Sequence, residues 1–160
     1  MKIVKETRHT HMAEEQTLVL VKPDGVANGH IGDVITRIEH RGFTIDALKV
    51  THATADQLHQ HYAALVGEPF FPRIERFMTG GPMVAMIVSG FNVIEAVRKM
   101  TGATNPAEAA PGTIRGDFGR EWADKTIRNV IHSSDSETSA RREIPIWFPD
   151  RQYAPHQPEK

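Results

Sequence analysis

Thr17-Leu18-Val19-Leu20-Val21-Lys22-Pro23-Asp24-Gly25 is the stretch from which the fold can be worked out. Between Gln16 and Lys22 it is a short, apolar, β-rich run, and such a run predicts a buried strand. Pro23-Asp24-Gly25 ends it with turn chemistry. Lys22 therefore stands at a strand end, beside a turn.

Downstream, Ile31, Val34, Ile35 and Ile38 fall at helical spacing, and Gly42 follows where a helix end takes a left-handed residue. Phe43, Ile45 and Ala47 alternate into a second strand, which Leu48 and Val50 continue on shifted parity. Thr54 with Gln57 forms a capping-box pattern that opens a helix carrying Leu58, Tyr62 and Leu65 on one side. Pro69-Phe70-Phe71-Pro72 breaks it, and Ile74, Phe77 and Met78 mark a shorter helix closed by Gly80-Gly81. Met83 to Val88, bounded by Pro82 and Gly90, reads as a strand. Asn92 is placed to cap a helix through Met100, with Gly102 after it.

From Ala103 to Phe118 the composition turns to Pro, Gly, Thr and Asn, a loop of the length that tends to carry function. Asn129 to His132 is strand-like. Ser133-Ser134-Asp135-Ser136 offers N-caps for a helix ending near Ile144. Trp147 and Phe148 close the apolar sequence, and residues 149–160 read as a loose tail. Residues 1–15 are polar and without period, a disordered leader outside a domain spanning 16–148; Met12 offers a second start. The alternation of strands and helices predicts an α+β fold. Its economical form is a ferredoxin-like βαββαβ core, a four-stranded antiparallel sheet covered by helices.

The bulk figures restrict function. The chain has 160 residues with 19 basic and 20 acidic, a net charge of -1, so no nucleic acid or membrane is held by overall charge. Any anion site must be built locally. The absence of cysteine removes disulfides, thiolate metal sites and a cysteine nucleophile, and it suits a reducing, cytoplasmic setting. No apolar run reaches the length of a membrane span.

Neither a P-loop nor a G-x-G-x-x-G occurs. Among nine histidines, His59 and His61 lie two apart on a predicted helix and face different ways, as surface side chains do more often than ligands. His132 differs in setting: it ends an apolar run and precedes the Ser-Ser-Asp-Ser cluster that starts a helix. A helix N-terminus favours a nearby phosphate. A neutral imidazole there is a competent nucleophile if its second nitrogen is held, and Glu143 can hold it if the chain folds back. The competing reading is a satisfied structural histidine. Lys22, Arg98 and Arg115 are each solvated charges taken singly; together they are what phosphoryl transfer needs. Tyr62 and Phe70 can form an apolar wall for a base.

These residues carry a resemblance to the nucleoside diphosphate kinase family. Asn129-Val130-Ile131-His132-Ser133-Ser134-Asp135-Ser136 resembles its signature. Val21-Lys22-Pro23-Asp24-Gly25-Val26, Thr104-Asn105-Pro106 and Pro111-Gly112-Thr113-Ile114-Arg115-Gly116-Asp117 match, as do His61-Tyr62, Pro69-Phe70-Phe71-Pro72 and Gly81-Pro82-Met83-Val84-Ala85-Met86. The order is kept from Thr17 to Phe148.

The resemblance implies a ferredoxin-like core, a ping-pong reaction with ATP as donor, and a phosphohistidine on Nδ1 of His132. It makes Glu143 the group that orients the imidazole, with Ser134 beside it. Lys22, Arg98, Thr104 and Arg115 become phosphate contacts, Lys22 also counting with the catalytic group, and Tyr62 lies near the terminal phosphate. Asn129 and Lys22 bind the sugar hydroxyls, and Phe70 stacks on the base. Mg²⁺ enters through the nucleotide phosphates rather than through protein ligands. The implied assembly is a homo-hexamer or homo-tetramer. Two alternatives stand beside it, a nonenzymatic nucleotide-binding scaffold of the same fold and a ferredoxin-like nucleic-acid-binding module. An aromatic content of only 7% speaks against the latter.

The chain departs from the family pattern at Ser133, where Gly or Ala is usual, and at Gly119 to Ile127, which is longer and replaces a glycine by Ile127. That segment is expected to adjoin the base.

Overall fold

A computed structural model of the chain describes residues 14–124 and 127–156. In order, the elements are β1 (Glu14–Val21), α1 (Pro23–Ala27), α2 (Ile31–His40), β2 (Thr44–Thr51), α3 (Ala55–His61), α4 (Phe71–Met78) and β3 (Met83–Phe91). Then follow α5 (Val93–Thr101), α6 (Ile114–Phe118), β4 (Arg120–Glu121), β5 (Ile127–Arg128), β6 (Ile131–Ser133) and α7 (Glu137–Trp147).

The main sheet runs β2-β3-β1-β6 with every pairing antiparallel. With helices connecting β1 to β2 and β3 to β6, this is the expected α+β ferredoxin-like arrangement. β1 is buried on both faces, which is why its sequence is a continuous apolar run rather than an alternation. Val19 and Val21 pack with Val34, Ile38 and Val97 of α2 and α5. Leu18 and Leu20 pack with Leu58, Phe71, Ile144 and Trp147 of α3, α4 and α7. Each such side chain, buried in the core, contributes roughly 1.5–3 kcal/mol.

The shifted parity in β2 is a bulge: the register slips between Ile45 and Ala47. Asp46, at the slip, accepts hydrogen bonds from Gln16 Nε2 (2.8 Å) and Ser89 Oγ (3.1 Å). Ile45 and Ala47 consequently serve opposite cores. The capping box at Thr54 forms as expected, Gln57 N–H donating to Thr54 Oγ1 and Thr54 N–H to Gln57 Oε1.

Several boundaries differ from the sequence reading. β1 begins at Glu14, pairing Glu14 with Phe91 and Glu15 with Gly90, so the leader's last residues belong to the sheet. Residues 1–13 lie outside the described residues. Asn92 precedes α5 with a left-handed backbone (φ 53°) and makes no cap bond; the Glu15 carboxylate takes the Ile94 N–H instead (3.1 Å). Charge complementarity at a helix start explains that substitution. The long loop ends in α6, whose Gly116 N–H is capped by Thr113 Oγ1. α7 continues past Ile144 because Pro145 removes one amide bond without stopping the turn, and buried Trp147 holds the last turn in place. The tail is not loose as far as residue 156: Tyr153 packs against the core and Ala154 N–H donates to Gln16 Oε1 (2.8 Å).

Candidate active site

β6 pairs with β1 so that His132 lies opposite Leu20, directing its ring to the face covered by α3 and α7. The N-cap of α7 is Ser136, whose hydroxyl accepts from Ser139 N–H. Eleven positions after His132, Glu143 returns on α7 with its side chain buried. His132 Nε2–H donates to Glu143 Oε2 at 2.8 Å. Ser134 Oγ–H donates to the same oxygen (3.4 Å) while accepting from Leu18 N–H (3.1 Å), which fixes the hydroxyl's direction. Two donors on one carboxylate oxygen favour the ionised form; burial opposes it and raises the Glu143 pKa.

Burial and, next, the cations Lys22, Arg115 and Arg98 lower the His132 pKa to about 3, so the ring is neutral at physiological pH. Its one proton is on Nε2, toward Glu143. Nδ1 then carries the lone pair and has no hydrogen-bond partner among the described residues.

His61 is the residue that the sequence reading set aside as a surface side chain. It is 5% exposed, its ring edge-on to His132 with centroids 4.4 Å apart. The Trp147 indole N–H donates to His61 Nδ1 (3.1 Å), which places the His61 proton on Nε2. Burial and the neighbouring His132 lower its pKa to about 3. His59, facing the other way, pairs with Glu75 at the surface. Leu58 and His61, three residues apart on α3 and both buried, share a helix face, and that spacing was the available signal.

His132 opens into a cavity of about 600 Å³ whose walls include Lys22, Tyr62, Arg98, Thr104, Arg115, Asn129, Asp135 and Glu143. Most of the expected site residues are therefore brought together. Lys22 Nζ donates to Asn129 Oδ1 (2.8 Å), and Asn129 Nδ2 donates to the Thr104 carbonyl (3.0 Å). Burial and then Arg115 lower the Lys22 pKa to about 8. Arg98 reaches the Ser133 carbonyl (3.4 Å). Arg115, 3% exposed, donates to the carbonyls of Gly102, Asn129 and Ile131. Tyr62 keeps its phenol proton, burial raising its pKa to about 12.

Ser134 stands behind the cavity wall, bonded to Glu143, and Phe70 is 46% exposed at the start of α4, outside the lining. The described residues of the long segment 119–127 do not line this cavity at all. Ser133 is fully buried and its hydroxyl has no partner among the described residues, the penalty of a serine where the family pattern has a smaller residue.

Between Asn129 and Ile131 the chain is strained. Val130 has φ 70°, unusual for a β-branched residue. Its N–H is taken by Asp24 Oδ2 (3.0 Å) and its carbonyl by Lys22 N–H (2.7 Å). Gly25 allows the approach, since a Cβ there would come within 2.9 Å of the Val130 carbonyl. This twist sets the relative positions of Asn129 and His132.

His61, His132 and Glu143 bring one ligand atom each within 4.8 Å of one another. Two imidazoles and one carboxylate do not suit Mg²⁺, which takes oxygen ligands. A divalent cation carried on phosphate oxygens is compatible with the cavity.

A neutral imidazole with one nitrogen anchored and the other open to a cationic cavity defines a phosphotransferase. The chain belongs to the nucleoside diphosphate kinase family, whose model matches residues 15–153. A nucleoside diphosphate kinase of Streptococcus agalactiae serotype III is 53% identical over 135 residues, covering 84% of this chain and 98% of that protein. The structure of the Borrelia burgdorferi nucleoside-diphosphate kinase, a transition-state mimic with bound vanadate and ADP, superposes with a TM-score of 0.81 at 39% identity, covering 91% of this chain and 94% of that one. A halophilic nucleoside diphosphate kinase from Halobacterium salinarum in complex with CDP gives the same TM-score of 0.81, identity of 39% and coverage of 91% and 94%. No helix among the described residues is long and apolar enough to cross a membrane.

Proposed function

We propose that the chain moves the terminal phosphate of a nucleoside triphosphate to a nucleoside diphosphate through a phosphohistidine on His132. The observation carrying this reading is the Glu143–His132 bond, which leaves Nδ1 as a free nucleophile inside the cationic cavity.

In the first half, the Nδ1 lone pair attacks the terminal phosphorus of the donor. A P–N bond forms as the bond to the bridging oxygen breaks, and the diphosphate departs with that electron pair. The ring becomes cationic while it is phosphorylated, and the Glu143 carboxylate offsets that charge. Lys22, Arg98 and Arg115 hold the transferring and bridging oxygens, where such preorganised charge is most effective. In the second half, a terminal oxygen of the acceptor diphosphate attacks the same phosphorus and the P–N bond breaks. No proton need leave the ring in either direction. His61 Nε2–H, set by Trp147, is a donor beside the transferring group.

Asn129 and Lys22 are placed to share a sugar hydroxyl. Exposed Phe70 offers a stacking surface that does not discriminate among bases, so substrate breadth follows. Bound Mg²⁺ would neutralise phosphate charge, and Asp135 is the cavity carboxylate available to its water shell. We place the reaction in the cytoplasm, which suits a cysteine-free chain. For self-association into a hexamer or tetramer, β2 offers a sheet edge with Leu48 51% and Val50 68% exposed.

The test is direct. Incubation with Mg²⁺ and ATP is expected to add one acid-labile phosphate at His132, which disappears on adding a second nucleoside diphosphate. A folded chain that gives no phosphohistidine refutes the reading.

The Lys22 shift gives a second expectation. Its folded pKa of about 8 lies below its ordinary 10.5, so the cation is present below pH 8 and is lost as pH rises through that value. kcat/KM, which reports the free enzyme, should therefore fall above about pH 8. Bound phosphate restores the charge, so the fall in kcat should come at higher pH. A Lys22→Met chain that keeps the same inflection would assign it to another group.

A further inference from the structure

The long segment builds a hairpin, and the hairpin makes a second cavity. β4 and β5 pair with Arg120 opposite Arg128. Both guanidiniums stack on Trp122, 3.8 Å and 4.1 Å from its ring centroid. Stacking on a neutral ring orients the two cations without using their in-plane N–H groups. Neither of them, nor Arg76 on α4, has an ion-pair or hydrogen-bond acceptor for its side chain among the described residues. All three line one cavity of about 870 Å³, together with Trp122, Phe77 and Asp24.

Three unpaired guanidiniums around a concave space, against one carboxylate, leave it strongly cationic in a chain whose net charge is -1. Asp24 contributes less than a free carboxylate, since its Oδ2 is already taken by Val130 N–H. Asp24 Oδ1 and Trp122 Nε1 are closed off from solvent and without a partner among the described residues, beneath the cavity that their residues line. The volume is that of a small-molecule site. None of its lining residues lines the catalytic cavity, yet the two meet back to back, Pro23 following Lys22 and Arg128 preceding Asn129.

We propose that this second cavity binds a phosphate-bearing small molecule, its phosphate oxygens held by Arg76, Arg120 and Arg128. Guanidinium forks are the side chains suited to that contact. The phosphate anchor is common to a nucleotide and a sugar phosphate.

Calorimetric titration of the full chain with ADP, inorganic triphosphate and adenosine tests this. ADP is expected to bind at two equivalents per chain, and adenosine to give no second equivalent. An Arg120→Gln/Arg128→Gln chain should lose the second equivalent while its phosphate exchange rate is unchanged. Arg76→Gln, away from the hairpin, should weaken it by about tenfold, the loss of one charge-assisted contact. Inorganic triphosphate giving a second equivalent assigns recognition to the phosphates alone, and ADP without it to the phosphates and the nucleoside together. A single equivalent in the native chain overturns the proposal, as does a second one that survives the arginine substitutions or that adenosine also fills. So does sedimentation showing the native chain assembled through this face and the double variant dissociated, since the occupant is then another copy. Exchange activity is read separately, so failure here leaves the kinase reading untouched.

Discussion

A His132→Ala chain should bind nucleoside diphosphate within a few-fold of the native affinity and exchange phosphate at least about 10⁴-fold more slowly, the scale on which removal of a covalent nucleophile is felt. Binding survives because the cations and Asn129 reach their places independently of the imidazole. Lys22 is held by Asn129, Arg115 by three main-chain carbonyls and Arg98 by the Ser133 carbonyl. Turnover is lost because, among the described residues, no other neutral nucleophile with an open nitrogen faces the cavity. His61 is close, but its Nδ1 is occupied by Trp147 and its Nε2 bears the proton. Isothermal titration gives the binding term and a coupled assay gives the exchange rate. Exchange within tenfold of native would transfer the nucleophile's role elsewhere, with His61 the first candidate. The variant should also lose about 1–3 kcal/mol of stability, because buried Glu143 keeps, among the described residues, only Ser134 as a side-chain donor.

The sheet and the helix start after His132 were legible in sequence for one reason: both depend on short local patterns. Leu18 to Val21 is apolar at every position because two layers of helices cover it. The run of small polar residues after His132 describes a helix start wherever it occurs. What could not be read locally depends on groups brought from far along the chain. Glu15 caps α5 from the far end of β1, so Asn92, adjacent in sequence, was the natural but mistaken cap. His61 is made part of the site by Trp147, far away in sequence, and helical spacing from Leu58 was its only trace. The segment 119–127 was expected beside the base because family order places it before Asn129. Among the described residues, pairing of β4 with β5 brings Arg120 and Trp122 to a cavity they share with Arg76 and Pro23. Phe70 matches its expected position in order, but its part in stacking rests on exposure alone.

Arg115 is where the sequence reading and the geometry diverge most usefully, and an Arg115→Lys chain separates the two. In sequence it is a loop cation near phosphate. In the folded chain Nε, Nη1 and Nη2 donate to the carbonyls of Asn129, Gly102 and Ile131 at 3.3, 3.1 and 2.7 Å. Of the five N–H groups of a guanidinium, two remain for phosphate. The clamp spans Val130, whose left-handed backbone needs holding, and it fastens the long loop to the catalytic strand. Burial, and then Arg98, lower the Arg115 pKa to about 10, which still leaves it charged at neutral pH. Lysine keeps the charge but presents its three donors from a single nitrogen, which cannot reach three separated carbonyls. Arg115→Lys should thus cost roughly 2–5 kcal/mol of stability, the scale for leaving buried partners unpaired. It should also slow phosphorylation of His132 by about 10²–10³-fold, as loss of a transition-state donor does. Urea unfolding measures the first effect and single-turnover labelling with ATP the second. Native stability with slow labelling would confine Arg115 to phosphate contact; lowered stability with native labelling would confine it to the clamp. Loss of both is the outcome that ties the strained turn at Val130 to the chemistry at His132.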